Sequence, residues 1–332
     1  MVERAERRFF IQISVVFIAF LFLFVATPNI LHAQSPLGGG AGVHLVSSPH
    51  FPGANTSVEI SLDDYQLNTA GASITWYVDS VEQTAFKDTR SITMKTGDLG
   101  KKSTVSVILS RVNAAPLTAS LTLMATEVHI ILETDTYVPN FYKGRALPSV
   151  ESTVRAVAVV QDGTKSLPGT YTYRWTEENT VLFGGPVKGK YAYLFTMPRY
   201  GSKRLSVDVT DATGKSVGEG AIELRATQPE LHFYEQSPLR GLSQKEVARP
   251  LPFIGEETTV YGEPYFLNAS MRNEDATFNW KINSLKTAIG QDTPNAITLQ
   301  RIGDRGQSQV SFEIITRQKI PQLINGVFDL VW

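Results

Sequence analysis

The chain has 332 residues, a formal net charge of −1 and no cysteine. The absence of thiols excludes a disulfide framework, a thiolate metal site and a lipoprotein-type acyl anchor. Balanced charge, without a Lys/Arg stripe interleaved with aromatics, argues against nucleic acid as a partner.

The first element in chain order is a targeting segment. Arg4, Arg7 and Arg8 make a basic start, diluted by Glu3 and Glu6. An 18-residue apolar run from Phe9 to Ala26 follows, broken only by Gln12 and Ser14. Pro28 ends any helix, and Leu31-His32-Ala33 closes on a small residue. That order predicts an export signal over residues 1–33, cleaved after Ala33 or retained as a signal anchor, because the run is near the lower limit for a membrane span. Membrane contact is then limited to residues 9–26 in the uncleaved form. The protein is expected to be exported, at the cell surface or extracellular. Residues 34–42, with Gly38, Gly39, Gly40 and Gly42, read as a flexible linker.

From residue 43 onward the apolar residues alternate at period two, the signature of strands. Leu205, Val207 and Val209 share one face of Arg204–Thr210, and Val310, Phe312 and Ile314 do the same later. Pro52-Gly53, Asp162-Gly163, Thr213-Gly214 and Gly303-Asp304 supply turn signals. No stretch after the signal has a capped 3.6-residue period.

An internal repeat organises these strands. Trp76, Trp175 and Trp280 each lie on an alternating strand, with Gly100, Gly201 and Gly306 at 24, 26 and 26 residues downstream. Each glycine is expected to start the turn into the penultimate strand in a positive-φ conformation. Each unit opens on an apolar-His-apolar triplet, at His44, His129 and His232. The predicted organisation is therefore all-β: three tandem β-sandwich domains at 43–127, 128–227 and 228–332, the third with a long loop over 235–256. The tryptophans are core markers, since apolar residues sit two positions away on the same face.

Trp175, Tyr200-Gly201-Ser202 and the Leu205–Gly214 segment resemble a PKD-type domain of bacterial surface proteins, an immunoglobulin-like sandwich. The acidic-glycine loop of that family is missing after all three tryptophans. Phe233–Gly241, Gly262–Leu267 and Trp280–Asn283 are similar to segments of uncharacterised exported Ig-like proteins of candidate-phylum, Parcubacteria-type bacteria. Neither resemblance carries over a catalytic residue.

Candidate sites are few. The three histidines occupy equivalent positions in separate units, so they cannot converge on one ion, and they read as outward strand positions. Asp63-Asp64 and Glu177-Glu178-Asn179 lack the alternating oxygen ligands of a calcium loop and read as solvated turns. Tyr191 and Tyr193 form either an aromatic platform for a glycan or partner, or half of the second core. Arg240, Lys245 and Arg249 would be exposed handles of the 235–256 loop, which is either functional or a crossover between sheets. No nucleophile motif, phosphate loop or HExxH occurs, so no catalytic residue, metal or cofactor is expected. The sequence reads as an exported cell-envelope structural or adhesive rod, part of a pilus or secretion assembly. Other envelope or surface proteins are its expected partners. The alternatives are a carbohydrate-binding surface module and, more remotely, an enzyme with a site near 235–256.

Overall fold

The computed structural model describes residues 42–63, 69, 71–269, 271, 274–288, 290 and 292–332. Residues 1–33, read above as an export signal, most of the segment read as a glycine linker, and Asp64 lie outside the described residues. The described chain is all-β and immunoglobulin-like, with three short 3-10 turns. Its sheets pair around three buried core clusters that follow one another along the chain.

The first unit holds β1 (His44–Ser48), β2 (Ser57–Asp63), β3 (Ser73–Val78), β4 (Val81–Glu82), β5 (Ser91–Lys95), β6 (Lys102–Arg111) and β7 (Ala114–Met124). A β1-β2-β5 sheet covers a β4-β3-β6-β7 sheet. The second unit holds β8 (Glu127–Thr134), β9 (Thr153–Gln161), β10 (Thr172–Glu177), β11 (Thr180–Val181), β12 (Val187–Lys188), β13 (Ala192–Thr196), β14 (Ser202–Thr210) and β15 (Ser216–Arg225). The same order recurs, β13-β9-β8 against β11-β10-β14-β15, with β12 also on β10.

The third unit holds β16 (Glu230–Ser237), β17 (Gly241–Glu246), β18 (Leu251–Pro252), β19 (Glu257–Tyr265), β20 (Ala276–Ile282), β21 (Leu285–Lys286), β22 (Ala296–Gln300), β23 (Gln307–Thr316) and β24 (Leu323–Val331). Its sheets are β17-β16-β19-β22 and β18-β24-β23-β20-β21. The extra strands come from the segment expected to be a long loop. That expectation is corrected: β16 runs on to Ser237, β17 folds back on it, and β18 crosses to the other sheet and pairs parallel with β24. Val247, Leu251 and Phe253 are buried, so hydrophobic burial holds the crossover in place.

Each repeat tryptophan is fully buried at 0% exposure, which makes it a core residue and removes it from any binding surface. The indole N–H of each reaches a backbone carbonyl: Trp76 to Thr89 at 2.9 Å, Trp175 to Lys190 at 2.7 Å and Trp280 to Pro294 at 3.1 Å. In every unit that carbonyl lies two residues before the outer strand β5, β13 or β22. The tryptophan thus fills the core and ties one sheet to the loop feeding the other. A buried indole N–H left unmet would be costly, so both roles favour Trp over Phe.

A second device repeats three residues after each tryptophan. Asp79, Glu178 and Asn283 adopt positive φ, and their side chains accept from the backbone N–H of Thr104, Arg204 and Gln309. These residues latch the turn after the tryptophan strand onto the penultimate strand. Glu178 and Asn179 are exposed in the turn after β10, and Glu178 is bonded across it to the penultimate strand. Glu177 ends β10, where it meets Lys203 Nζ and accepts from Tyr193 Oη at 2.7 Å.

The glycine expectation holds at Gly100 (φ 80°) and Gly201 (φ 78°) but not at Gly306. There Gly303 takes the positive φ, at 81°. Gly306 is small for a different reason: a Cβ would lie 2.3 Å from the Trp332 ring.

Candidate functional site

The chemistry-rich places on this chain are the junctions between units. At the first, Ala125 and Thr126 lead directly from β7 into β8. Thr126 Oγ1 donates to the Val217 carbonyl at 2.5 Å, and Ala54 N–H donates to Glu127 Oε1 at 3.2 Å. Gly100 and Gly163 meet backbone to backbone: a Cβ on Gly100 would lie 2.5 Å from the Asp162 carbonyl oxygen, and one on Gly163 2.5 Å from that of Leu99. Only a residue without a side chain permits that approach. Asp162 is held beside it by Tyr171 Oη at 2.7 Å and Thr164 Oγ1 at 2.6 Å. Burial alone would raise its pKa, but these hydrogen bonds outweigh that and hold its carboxyl below the ordinary value.

The second junction is larger. Residues 135–152, between β8 and β9, lie against the third unit. Tyr137 bridges to Leu267, with Tyr137 N–H to Leu267 O at 2.8 Å and Phe266 N–H to Tyr137 O at 2.7 Å. Phe141 packs edge-on to Tyr234, and Tyr142 edge-on to Tyr265. Leu242 of β17 joins this aromatic cluster, so the hairpin missed in the sequence covers the junction. Gln322 completes the seam. Its amide oxygen accepts from Asn268 N–H at 2.8 Å, and its amide nitrogen reaches Ser149 Oγ at 3.1 Å and the Val150 carbonyl at 3.2 Å.

One carboxylate is buried in this seam. Glu263, 6% exposed, accepts from Tyr137 Oη at 3.0 Å and from Asn295 Nδ2 at 3.0 Å. Both partners are neutral. Burial pushes its pKa up, and the two hydrogen bonds offset this only in part. The folded state therefore holds the proton more tightly than the ordinary carboxyl value of 4.5. The associated stability is complete below about pH 4.5 and is lost as pH rises through the raised folded value. Glu263→Gln is expected to flatten this dependence and to protect the junction at neutral pH. Tyr137→Phe should instead weaken it by about 1–3 kcal/mol, by leaving the carboxylate one donor short. Hydrogen exchange of the Tyr137 and Phe266 amides across pH 4–8 reads both.

The residues singled out in the sequence fall elsewhere. Tyr191 and Tyr193 are half-buried against the second core. Tyr193 stacks on Phe195 and meets Trp175 and Phe183, and burial with the Glu177 bond pushes its pKa up to about 12. Arg240 and Lys245 are exposed on the β16–β17 hairpin, while Arg249 pairs with Glu246. Arg240 and Lys245 lie on the hairpin itself, and Arg249 follows β17 on the way to β18. His129 and His232 pair with Glu127 and Glu230, two residues before each on the same strand face. Among the described residues no group of three or more His, Asp or Glu side chains could hold a metal ion. Sequence reasoning passed over residues 135–152; their length, with Pro139 and Pro148 flanking Phe141 and Tyr142, was the available signal.

The fold and junctions define a class: tandem immunoglobulin-like β-sandwich units joined by packed interfaces. No protein-family model and no curated protein matches the chain. Among solved structures it is similar to the fibronectin(III)-like modules of Clostridium thermocellum CbhA, at 11% identity over 55% of this chain and 94% of that one, with a TM-score of 0.26. It is also similar to the central fibronectin-III array of RIM-binding protein, at 14% identity over 81% and 92%, with a TM-score of 0.30. A third is a putative membrane-anchored protein from Corynebacterium diphtheriae, at 11% identity over 85% and 88%, with a TM-score of 0.26. These likenesses carry no ligand or activity over to this chain.

Proposed function

We propose that the chain is an exported structural rod of the cell envelope, whose units are fixed end to end so that its far pole stands at a set distance from the surface. One observation carries this reading: both junctions are closed by specific buried contacts in place of a slack linker. Flexible tethering needs neither a glycine-to-glycine backbone contact nor a glutamine satisfied across a seam. Residues 1–33 supply the export signal and residues 34–42 the only linker of flexible composition. A glycan platform finds no support at Tyr191 and Tyr193, whose rings are taken up by core packing.

Leu239→Cys offers a test, because the native chain has no thiol and Leu239 is 97% exposed. A membrane-impermeant maleimide should label this variant on intact cells. Labelling only after lysis would contradict the surface placement.

A further inference from the structure

An open sheet edge is a template for another strand, and folds ordinarily blunt it with charge, proline, a bulge or a short strand. The middle unit blunts most of its edges. β11 and β12 are two residues long. β15 closes over β8, where a Cβ on Gly220 would lie 2.8 Å from the Val128 carbonyl oxygen. β13 is different. Among the described residues it pairs with β9 alone, and Ala192–Thr196 holds no charge, proline or glycine.

The direction of its backbone groups follows from its ends. The Tyr191 carbonyl accepts from Ala158 N–H at 2.8 Å, and Met197 N–H donates to the Ser152 carbonyl at 3.0 Å. Residues 191, 193, 195 and 197 therefore turn toward β9, and alternation turns the N–H and C=O of Ala192, Leu194 and Thr196 to the open edge.

The internal repeat supplies a comparison. Counted from the carbonyl that takes each indole N–H, Leu194 corresponds to Thr93 of β5 and Thr298 of β22. Two units thus hold a hydroxyl side chain at the centre of this edge, while the middle unit places a large apolar one there, 61% exposed. Phe183 stands beside the same strand, edge-on to Tyr193 and 47% exposed, with φ at 57°. That conformation is unfavourable for a bulky residue, and here it keeps an aromatic ring at the margin of the open edge.

The charge pattern selects the occupant. The cations near the edge are already engaged: Arg155 beside Leu194 pairs with Glu133 at 2.7 Å, Lys190 Nζ lies over the Phe183 ring and Arg199 over the Tyr200 ring. An acidic strand therefore gains little. A neutral strand fits, and β13 itself is one. Set antiparallel about Leu194, a second β13 puts Thr196 opposite Ala192, Pro198 opposite Lys190 and Gly189 opposite Arg199, so that no like charges face each other.

We propose that β13 pairs antiparallel with β13 of a second copy, about a twofold axis between the two Leu194 residues. Each facing pair of Ala192, Leu194 and Thr196 exchanges both of its backbone hydrogen bonds, and the two leucines meet on the outward face. The same surface is used on both copies, so the contact closes at a dimer. The inference goes beyond the rod reading and does not depend on it, because it uses one strand of one unit.

The full-length chain in mild detergent, which has no native thiol, allows a direct test. Such a pair sets its Cα atoms about 5.5 Å apart, within the span of a disulfide. On mild oxidation Leu194→Cys should give a dimer and nothing longer. Thr93→Cys and Thr298→Cys, at the equivalent positions, report chance encounter within a micelle and should stay monomeric. In sedimentation Leu194→Lys should weaken dimerisation by ~10-fold or more, since it sets like charges opposite each other. Leu194→Thr should weaken it in the same direction without disturbing the fold, because two other units carry threonine there. Equal cross-linking at all three positions, none at Leu194→Cys, or a dimer unchanged by both Leu194→Lys and Leu194→Thr would overturn the proposal. Each of these results leaves the rod reading standing, because that reading depends on distances within one copy.

Discussion

Replacing Trp280 by alanine is expected to destabilise the third unit by about 3–5 kcal/mol, the range for deleting a large buried aromatic. The ring is fully buried and stacks on Phe312 at a 4.1 Å centroid distance, tilted by 15°. Removing it opens a void between the sheets and leaves the Pro294 carbonyl without its donor. A single unit is stable by only about 5–15 kcal/mol, so this loss takes a large share. Trp280→Phe should cost less, about 1–3 kcal/mol, by keeping part of the stack and losing the hydrogen bond. Hydrogen exchange read segment by segment checks the claim. Protection should collapse over 276–282 and 307–316 while 202–210 stays protected. Equal loss in all units would mean that the chain unfolds as one block.

Gly100→Ala carries the second large effect, and the repeat supplies its own control. Gly100 and Gly201 start the same turn in successive units at nearly the same φ, 80° and 78°. Both alanine variants force a side chain into the left-handed region, at roughly 1–2 kcal/mol. They differ in surroundings: a Cβ on Gly201 meets nothing within 4 Å, whereas one on Gly100 lies 2.5 Å from the Asp162 carbonyl oxygen. Gly100→Ala should therefore lose a further ~1–3 kcal/mol to overpacking. That extra loss should appear at the junction, as faster proteolysis near residues 125–127 and wider relative motion of the first two units. Equal effects from the two variants would refute the glycine-to-glycine contact as a joint.

The sequence made the sandwich architecture legible because one-sided burial imposes a period of two on β6, β14 and β23, and because a tryptophan repeated on the inward face of β3, β10 and β20. The latch residues were also present, three positions after each tryptophan. They escaped notice because Asp79, Glu178 and Asn283 share an acceptor and a turn conformation without sharing a residue type. The junctions were hardly legible at all. Gln322 meets Ser149 across 173 residues, and Tyr137 meets Glu263 across 126, separations over which no local pattern speaks. The 235–256 segment misled because its prolines and glycines suggest a loop, while burial of Leu251 and Phe253 decides for an ordered crossover. Gly306 misled differently: spacing put it in line with Gly100 and Gly201, but its smallness makes room for Trp332.

Fixed units make a sharp statement about distance. Spin labels at Val81→Cys on β4 and Leu285→Cys on β21, 64% and 76% exposed in the native chain, bracket both junctions in an otherwise cysteine-free protein. Pulsed dipolar spectroscopy at concentrations below any self-association should give one narrow distance distribution between the first and third units. A broad or multimodal distribution would mean that the units swing freely, and would contradict the rod.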